Sequence, residues 1–170
     1  MIKTKRLILR EPRASDIDAM FAAYSDPEAM RYWSTPPHAT ADVTQKILDG
    51  RIAHWAEAPV NFQIEMGGDY IGNAGNYARN EVGFMLRRPF WRQGIVSEAM
   101  TAILPHIWAV TDHDHLFADA DPDNAASCGL LRALGFRETH RARNTFCIDG
   151  VWVHSVYFRL DRPPPDPDAA

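Results

Sequence analysis

The chain has few cysteines, no long apolar run and no excess of basic residues. Two cysteines, Cys128 and Cys147, among 170 residues favour a reduced cytoplasmic protein over a disulfide-stabilised secreted one. No apolar stretch approaches the roughly 20 residues of a membrane span, and no apolar signal-peptide core follows the first six residues, so we expect no membrane association. A net charge of −4 argues against nucleic acid as a partner.

The composition is that of one soluble globular domain. A hydrophobic content of 46% and a charged content of 24% are ordinary for such proteins, and 170 residues can enclose a sizeable core. We predict a single domain over residues 1–161. Residues 162–170 are rich in proline, which fits neither a helix nor a central strand, so we predict a disordered tail there.

The N-terminal third is predicted to be largely helical. Apolar residues alternate from Lys5 to Glu11 and indicate a first strand, which ends at a proline. Helical spacing follows from Ser15, and again over residues 40–56. Between them, Asp26 is a candidate N-cap and Pro27 suits the first helical position, so we expect a short helix there.

From residue 60 the apolar pattern is that of strands alternating with helices. We predict an antiparallel meander and then β-α-β-α-β-β, with Pro105 kinking or ending the first helix and Gly135 closing the second. The predicted strands are 60–66, 70–77, 81–86, 115–120, 136–143 and 152–160, and the helices begin at Ile95 and Ala125. This order predicts an α+β (mixed α/β) fold with a largely antiparallel sheet. A Rossmann fold is disfavoured, because the first strand ends in Glu-Pro-Arg instead of a glycine-rich turn.

The most informative segment is the basic turn over residues 87–99. It joins the strand 81–86 to the helix from Ile95, and its single glycine is Gly94. Unpaired N–H groups and the helix dipole at such a junction form an anion site, with arginines adding mobile positive charge. The anion is best explained as a cofactor phosphate, although an ordinary strand-to-helix turn has the same local pattern.

Three segments in this order resemble the GNAT N-acetyltransferase superfamily, in the branch of the ribosomal-protein N-terminal alanine and serine acetyltransferases. The segments are Thr4-Lys5-Arg6-Leu7-Ile8-Leu9-Arg10, Trp91-Arg92-Gln93-Gly94-Ile95-Val96-Ser97-Glu98-Ala99, and Asn124-Ala125-Ala126-Ser127 with the following Leu131-Arg132-Ala133-Leu134-Gly135-Phe136. The resemblance covers nearly the whole chain. It implies a mostly antiparallel twisted sheet of about seven strands flanked by helices, with a cofactor cleft where strands splay apart.

The resemblance implies acetyl-CoA as acyl donor, without a metal, although some family members use longer acyl-CoA. The backbone of Phe84, Met85 and Leu86 would pair with the pantetheine, which Asn124 would also contact. The pyrophosphate would lie on the N–H groups of Arg92, Gln93, Gly94, Ile95, Val96 and Ser97. Two residues depart from the family pattern for this loop, since Trp91 stands at its first position and Val96 at its last.

The resemblance also implies two catalytic residues. Glu81 matches a position often used as the base, and many relatives carry a tyrosine acid where this chain has Leu131, so the acid is expected to be Ser127. Each has an alternative: Glu81 could be a solvated residue at a strand end, and Asn124 and Ser127 could simply cap a helix. Oxyanion stabilisation is expected from a backbone N–H at Phe84 or Met85.

We therefore expect transfer of an acetyl group to a primary amine by direct attack in a ternary complex. The acceptor is a small-molecule or peptide amine, and a homodimer is possible. A non-catalytic acyl-CoA-binding or regulatory protein on the same fold is the alternative. The residues Asp112-His113-Asp114-His115 are predicted to form a solvated loop instead of a metal site, and Asp119 lies at a strand end.

Overall fold

A computed structural model describes residues 1–164 and has one mixed sheet with helices on both faces. The strands are β1 (Ile2–Lys3), β2 (Ile8–Arg10), β3 (Asn61–Met66), β4 (Asp69–Ala78), β5 (Glu81–Leu86), β6 (His115–Ala120), β7 (Arg137–Ile148) and β8 (Val151–Asp161). The helices are α1 (Ile17–Tyr24), α2 (Ala41–Trp55), α3 (Ile95–Val110) and α4 (Ala125–Ala133). Short 3₁₀ turns precede α1 and α3. None of these helices is both long and apolar enough to cross a membrane.

The eight strands lie in the order β1-β2-β3-β4-β5-β6-β8-β7. Every neighbouring pair is antiparallel except β5 and β6, which are parallel. The predicted α+β class and the meander of β3, β4 and β5 are confirmed. The sheet has one strand more than the seven expected, because the N-terminus forms a hairpin.

That hairpin corrects the prediction of one strand from Lys5 to Glu11. Ile2 pairs with Leu9 and Lys3 with Ile8, while the Thr4 N–H donates to the Leu7 carbonyl at 3.0 Å. The residues between the two strands turn away because Thr4 and Arg6 bind Glu98 on α3. That partner is 92 residues from Arg6, so local alternation did not reveal the turn.

The short helix predicted at Asp26 does not form, and residues 27–32 are a series of turns. The Asp26 carbonyl does accept from the Met30 N–H at 3.0 Å, which closes one helical turn. Nucleating a helix costs more than a single turn returns, and the prolines at 36 and 37 leave little chain for propagation. The wrong prediction came from reading start signals without a following apolar stripe.

Helix α3 continues through Pro105 to Val110, so the early end that we expected does not occur. Pro105 is exposed, as is Thr101, whose carbonyl loses its helical partner. Water can bond that carbonyl, while the opposite face of α3 buries Ile103, Leu104 and Ile107. Burial of this face keeps the helix intact across the proline.

Helix α4 ends as predicted at Gly135, which has a φ of +90°. The Phe136 N–H donates to the Leu131 carbonyl and the Gly135 N–H to the Arg132 carbonyl, both at 3.0 Å. These two bonds form a Schellman motif, which satisfies the last carbonyls and turns the chain into β7.

Two hydrophobic clusters lie on opposite faces of the sheet. Helices α3 and α4 pack on one face, and α1 and α2 contribute to the cluster on the other. Strand β5 shows the alternation directly, because Val82 and Leu86 belong to the first cluster and Met85 to the second. The two faces of β5 are therefore fixed by packing.

Arg162 belongs to the folded part of the chain. Its guanidinium donates to the carbonyls of Trp108, Thr111 and His113 at 2.6–2.7 Å and lies over the Trp108 ring. The predicted disordered tail falls mainly on residues 165–170, which lie outside the described residues.

Candidate active site

Strands β5 and β6 separate just after they meet, which opens a cleft in the sheet. Their register contains one pair, Glu81 with Phe117, and the Phe117 N–H donates to the Asn80 carbonyl at 3.0 Å. Beyond Glu81 the edge of β5 faces the cleft instead of a neighbouring strand. The splayed-strand cleft expected from the family resemblance is confirmed.

A cavity of about 390 Å³ lies between the β5 edge and the start of α3. Of the ten residues expected to bind the cofactor, it brings together nine: Phe84, Met85, Leu86, Arg92, Gly94, Ile95, Val96, Ser97 and Asn124. Gln93 does not line it, because its side-chain amide donates to the Pro89 carbonyl at 3.0 Å. Val96 fits the loop because its side chain packs against the main core.

The loop before α3 presents backbone N–H groups at this cavity. Gly94 is the N-cap of α3 with a φ of +69°, and Arg92 also has a positive φ, +59°. The first helical bond joins the Glu98 N–H to the Gly94 carbonyl at 3.0 Å, so the N–H groups of the three residues between them precede the helical ladder. Successive N–H groups at such a turn form an anion-binding concavity.

Side chains from distant segments hold this loop in place. The Trp91 indole N–H donates to the Leu86 carbonyl at 2.7 Å, and the Arg6 guanidinium donates to the Gln93 carbonyl at 2.9 Å. Glu98 accepts the Arg6 N–H at 2.9 Å and forms an ion pair with its guanidinium at 2.7 Å. Desolvation alone would raise the pKa of Glu98, but the hydrogen bonds from Thr4 and Arg6 lower it. Trp91, which departs from the family pattern, thus has a structural role.

The arginines of the loop contribute less mobile charge than the sequence indicated. Arg87 donates to the Tyr70 carbonyl at 3.2 Å, and Arg88 forms an ion pair with Asp26 at 3.0 Å. Only Arg92 among these three lines the cavity. The anion site therefore depends mainly on backbone N–H groups and the start of α3.

A second cavity of about 290 Å³ adjoins the first. Its wall includes Glu81, Tyr77, Asp119, Asp121 and His154. Five residues line both cavities: Tyr32, Trp33, Phe84, Asn124 and Ser127. The two cavities therefore meet at the residues expected to surround the reacting groups.

Glu81 is half-buried in the wall of the second cavity. Burial, and then the negative charge of Asp119, raise the pKa of its carboxyl. A carboxylate with a raised pKa is a better proton acceptor near neutral pH than an exposed one. This environment does not match the alternative of a solvated strand-end glutamate.

Asn124 caps helix α4, which is one of the two roles that the sequence left open for this helix start. The Asn124 side-chain oxygen accepts the Ser127 N–H at 3.1 Å, which makes Asn124 the N-cap of α4. Both residues also lie where the two cavities meet. The adjacent Cys128 is buried, and burial raises the pKa of its thiol, so it packs as a small apolar residue.

Sequence reasoning missed several residues of the second cavity. Asp119 was assigned to a strand end, and Tyr32 and Trp33 were not among the predicted site residues, yet all three line it. His154 also lines it, and its Nδ1 accepts the Asn144 N–H at 3.1 Å. The sequence of β6 does contain a signal for Asp119. Side chains alternate along a strand, so Asp119 must face away from Leu116 and Ala118, which are buried in the core.

Within residues 1–164, no group of three or more His, Cys, Asp or Glu side chains could hold a metal ion. In the segment 112–115, His115 Nδ1 lies 2.5 Å from Asp114 Oδ1, an exposed neighbour.

The site has the features of enzymes that transfer an acyl group from coenzyme A. These features are a splayed sheet, a helix N-terminus at the opening and two joined cavities. The comparisons with known proteins name the family: residues 6–137 match the acetyltransferase (GNAT) domain model, and the chain belongs to this family. It is an acetyltransferase.

The relatives agree in extent and in fold. An uncharacterised N-acetyltransferase, p20, from Bacillus licheniformis is 27% identical over 92% of this chain and 93% of its own length. A GNAT-family acetyltransferase structure from Bacillus anthracis superposes with a TM-score of 0.83 at 19% identity, covering 94% of this chain and 97% of its own. The structure of the ribosomal L7/L12 alpha-N-protein acetyltransferase in complex with coenzyme A gives 0.79 at 18% identity, covering 93% and 95%.

Proposed function

We propose that this protein transfers the acetyl group of acetyl-CoA to a primary amine by direct attack in a ternary complex. The observation that carries the proposal is the junction of the two cavities, with Ser127 and Phe84 on both walls and Glu81 on one. A donor in the larger cavity and an acceptor in the smaller one would meet at that junction. No covalent acyl-enzyme is needed for two substrates so placed.

Acetyl-CoA would supply the acetyl thioester, and the chain offers it three kinds of contact. The N–H groups of Arg92 and of residues 94–97 suit the pyrophosphate, because these residues line the larger cavity and lie at the positive end of the α3 dipole. The edge of β5 from Phe84 to Leu86 suits the pantetheine amides, as a strand edge suits a peptide. Asn124 at the junction is the remaining polar partner.

Glu81 would act as the base, directly or through water. An α-amino group has an ordinary pKa near 8 and a lysine near 10.4, so the attacking nitrogen must first lose a proton at neutral pH. His154 also lines the smaller cavity, but its Nδ1 already accepts the Asn144 N–H. A neutral ring then carries its proton on Nε2 and has no second lone pair to offer.

Ser127 would donate to the departing sulfur, and a β5 backbone N–H at Phe84 or Met85 would stabilise the developing oxyanion. Ser127 lies at the junction and Leu131 leaves no tyrosine in the family's usual place. The buried Tyr77 hydroxyl bonds to Asn73, and burial raises the pKa of Tyr77, so we assign it a place in the wall of the acceptor cavity. One donor of this kind typically contributes two to three orders of magnitude in rate, roughly 3 kcal/mol.

The acceptor is proposed to be a protein N-terminus or a small amine. The acceptor cavity of about 290 Å³ is open enough to admit a chain end and has aromatic residues Tyr32 and Trp33 at its inner side. A structural neighbour is an alpha-N-protein acetyltransferase, which makes N-terminal peptides the first acceptors to try.

The test measures the free thiol released from acetyl-CoA in the presence of candidate acceptors. The acceptors are a panel of alkylamines and a set of peptides that together carry each amino acid at the N-terminus. The acetylated products are identified by mass spectrometry. We expect acetylated amine from the wild type, a loss of about 100-fold or more in kcat for Glu81→Gln, and unchanged acetyl-CoA affinity for that variant. Ser127→Ala should lower kcat with little change in KM.

Calorimetry with acetyl-CoA separates the possible failures. Absence of binding to the wild type would overturn the whole assignment. Binding without transfer to any amine, unaffected by Glu81→Gln, would favour the non-catalytic alternative.

A further inference from the structure

Asp119 places a second carboxylate in the acceptor cavity. Strand β6 pairs with β5 at Phe117 opposite Glu81, and Asp119 follows two residues later on the same face of β6. Both Glu81 and Asp119 line the acceptor cavity, and both are half-buried. Two carboxylates on the two strands that form the cleft therefore face one small space.

Hydroxyl groups from β7 and β8 orient Asp119. The Ser155 hydroxyl, which is buried, donates to Asp119 Oδ2 at 3.0 Å. Thr145 Oγ1 lies 2.8 Å from Ser155 Oγ, so the hydroxyl pair is tied to the neighbouring strand. A side chain held in this way keeps its position when a substrate enters, which is what a reacting carboxylate requires.

The charges around the pair oppose full ionisation of both groups. The pKa of Asp119 is raised, mainly because the group is buried, and the negative charge of Asp121 adds to this effect. The hydrogen bonds from Ser155 and Tyr157 and the charge of His140 act in the opposite direction. For Glu81, burial and the charge of Asp119 both raise the pKa. The remaining polar groups on the cavity wall are the side chains of Tyr32, Trp33, Ser34, Tyr77, Asn124, Ser127 and His154.

We propose that Asp119 is a second catalytic carboxylate, which with Glu81 binds the acceptor as an ammonium ion and takes its first proton. A cation between the two carboxylates relieves their mutual repulsion and so is bound in preference to a neutral amine. This inference rests on the proposed function. It goes further by naming a residue and by restricting the substrate class to aliphatic amines that are cationic at neutral pH, as opposed to aromatic amines.

The protons balance as follows. The ammonium loses one proton to the carboxylate pair, which passes it to solvent, and the free amine attacks the thioester carbon. When the N–C bond forms and the C–S bond breaks, the nitrogen loses a second proton to the pair, and the departing sulfur takes the hydroxyl proton of Ser127. The proton held by the pair then returns to the Ser127 oxygen through solvent. The sum is one amide, one thiol and one proton released.

The experiment has a titration arm that needs no turnover. Carboxyl-carbon NMR of the intact protein follows Glu81 and Asp119 against pH in the wild type, Asp119→Asn, Glu81→Gln and Ser155→Ala. We expect Asp119→Asn to lower the pKa of Glu81 by roughly 0.5–1 unit, Glu81→Gln to lower that of Asp119, and Ser155→Ala to raise that of Asp119. The control is Asp112→Asn, an exposed residue outside the cavity, which should move neither.

The same spectra are recorded at neutral pH with n-propylammonium chloride as the probe and 1-propanol as its neutral counterpart. We expect saturable shifts of both carboxyl carbons with the ammonium only. Independent titration of the two groups, or absence of saturable shifts with n-propylammonium, would overturn the proposal even if no amine were acetylated.

The kinetic arm uses the best acceptor from the amine panel. Asp119→Asn should reduce kcat/KM about tenfold near pH 7 and move the acidic limb of its pH profile to lower pH, whereas Ser155→Ala should move that limb to higher pH. Acetyl-CoA affinity should stay unchanged in both. An active wild type with an Asp119→Asn profile equal to that of Asp112→Asn would refute the role of Asp119 and leave the proposed function standing.

Discussion

Gly72 on β4 is the position where one added methyl group should damage both the fold and the cofactor edge. A Cβ at Gly72 would lie 2.2 Å from the Met85 carbonyl oxygen and 3.0 Å from the Leu86 Cα. Ordinary contacts begin near 3.4 Å, so β5 would have to move by about 1 Å. Overpacking of this kind against backbone costs roughly 2–4 kcal/mol of unfolding free energy.

For a domain of this size, each kcal/mol corresponds to about 2–4 °C in Tm, so Gly72→Ala should melt about 4–16 °C below the wild type by circular dichroism. Its affinity for coenzyme A should fall at least tenfold, because Met85 and Leu86 belong to the proposed pantetheine edge. The matched control is Gly50→Ala in α2, where a Cβ meets nothing within 4 Å. Alanine is the better helix former by roughly 0.5–1 kcal/mol, so this control should melt higher. A Gly72→Ala protein that melts within 2 °C or so of the wild type would refute the steric reasoning.

Three further substitutions test the contacts that hold the site. Trp91→Phe keeps an aromatic ring but removes the hydrogen bond to the Leu86 carbonyl. The affinity for coenzyme A, measured by calorimetry, should therefore fall about three- to tenfold with little change in Tm. An affinity equal to that of the wild type would show that this hydrogen bond does not order the loop. Glu98→Gln should lower Tm at pH 7. Because the pKa of Glu98 is lowered in the fold, its stabilisation is present above about pH 4.3 and lost as pH falls through the folded pKa. A Tm difference that does not shrink as the pH falls below about 4.3 would contradict this. Arg162→Ala removes three hydrogen bonds to carbonyl groups and should lower the free energy of unfolding by about 2–3 kcal/mol, as measured with denaturant. Arg162→Lys should be intermediate. Unfolding free energies equal to that of the wild type would show that these hydrogen bonds do not stabilise the fold.

Most of the fold followed from local patterns, because the strongest signals coincide with packing. The alternation in β5 and the glycine that ends α4 were predicted and are confirmed by the two core clusters and the Schellman motif. The N-terminal hairpin was missed, because it depends on tertiary contacts with Glu98. Of the two outcomes expected at Pro105, a kink or an early end, the early end does not occur, because the apolar face of α3 is buried.

The candidate site was likewise predicted where its residues are close in sequence and missed where they are distant. The residues of the proposed pyrophosphate loop were predicted because they are contiguous, and all of residues 92–97 except Gln93 line one cavity. Asp119 was set aside because its relation to Glu81 depends on the parallel pairing of Glu81 with Phe117, 36 residues apart in sequence, which no local pattern encodes.

The loop before α3 has a single glycine, Gly94, and hydrogen bonds from Trp91 and Arg6 hold its conformation. Gly94 supplies one positive φ, and Arg92 adopts another without that freedom. A non-glycine residue in that conformation needs support from its surroundings. The support is present on both sides, from the Trp91 indole on the Leu86 carbonyl and from the Arg6 guanidinium on the Gln93 carbonyl. Because Glu98 in turn fixes Arg6, the N-terminal hairpin, the loop and the edge of β5 form one connected structure, which supports the positive φ of Arg92 and the start of α3.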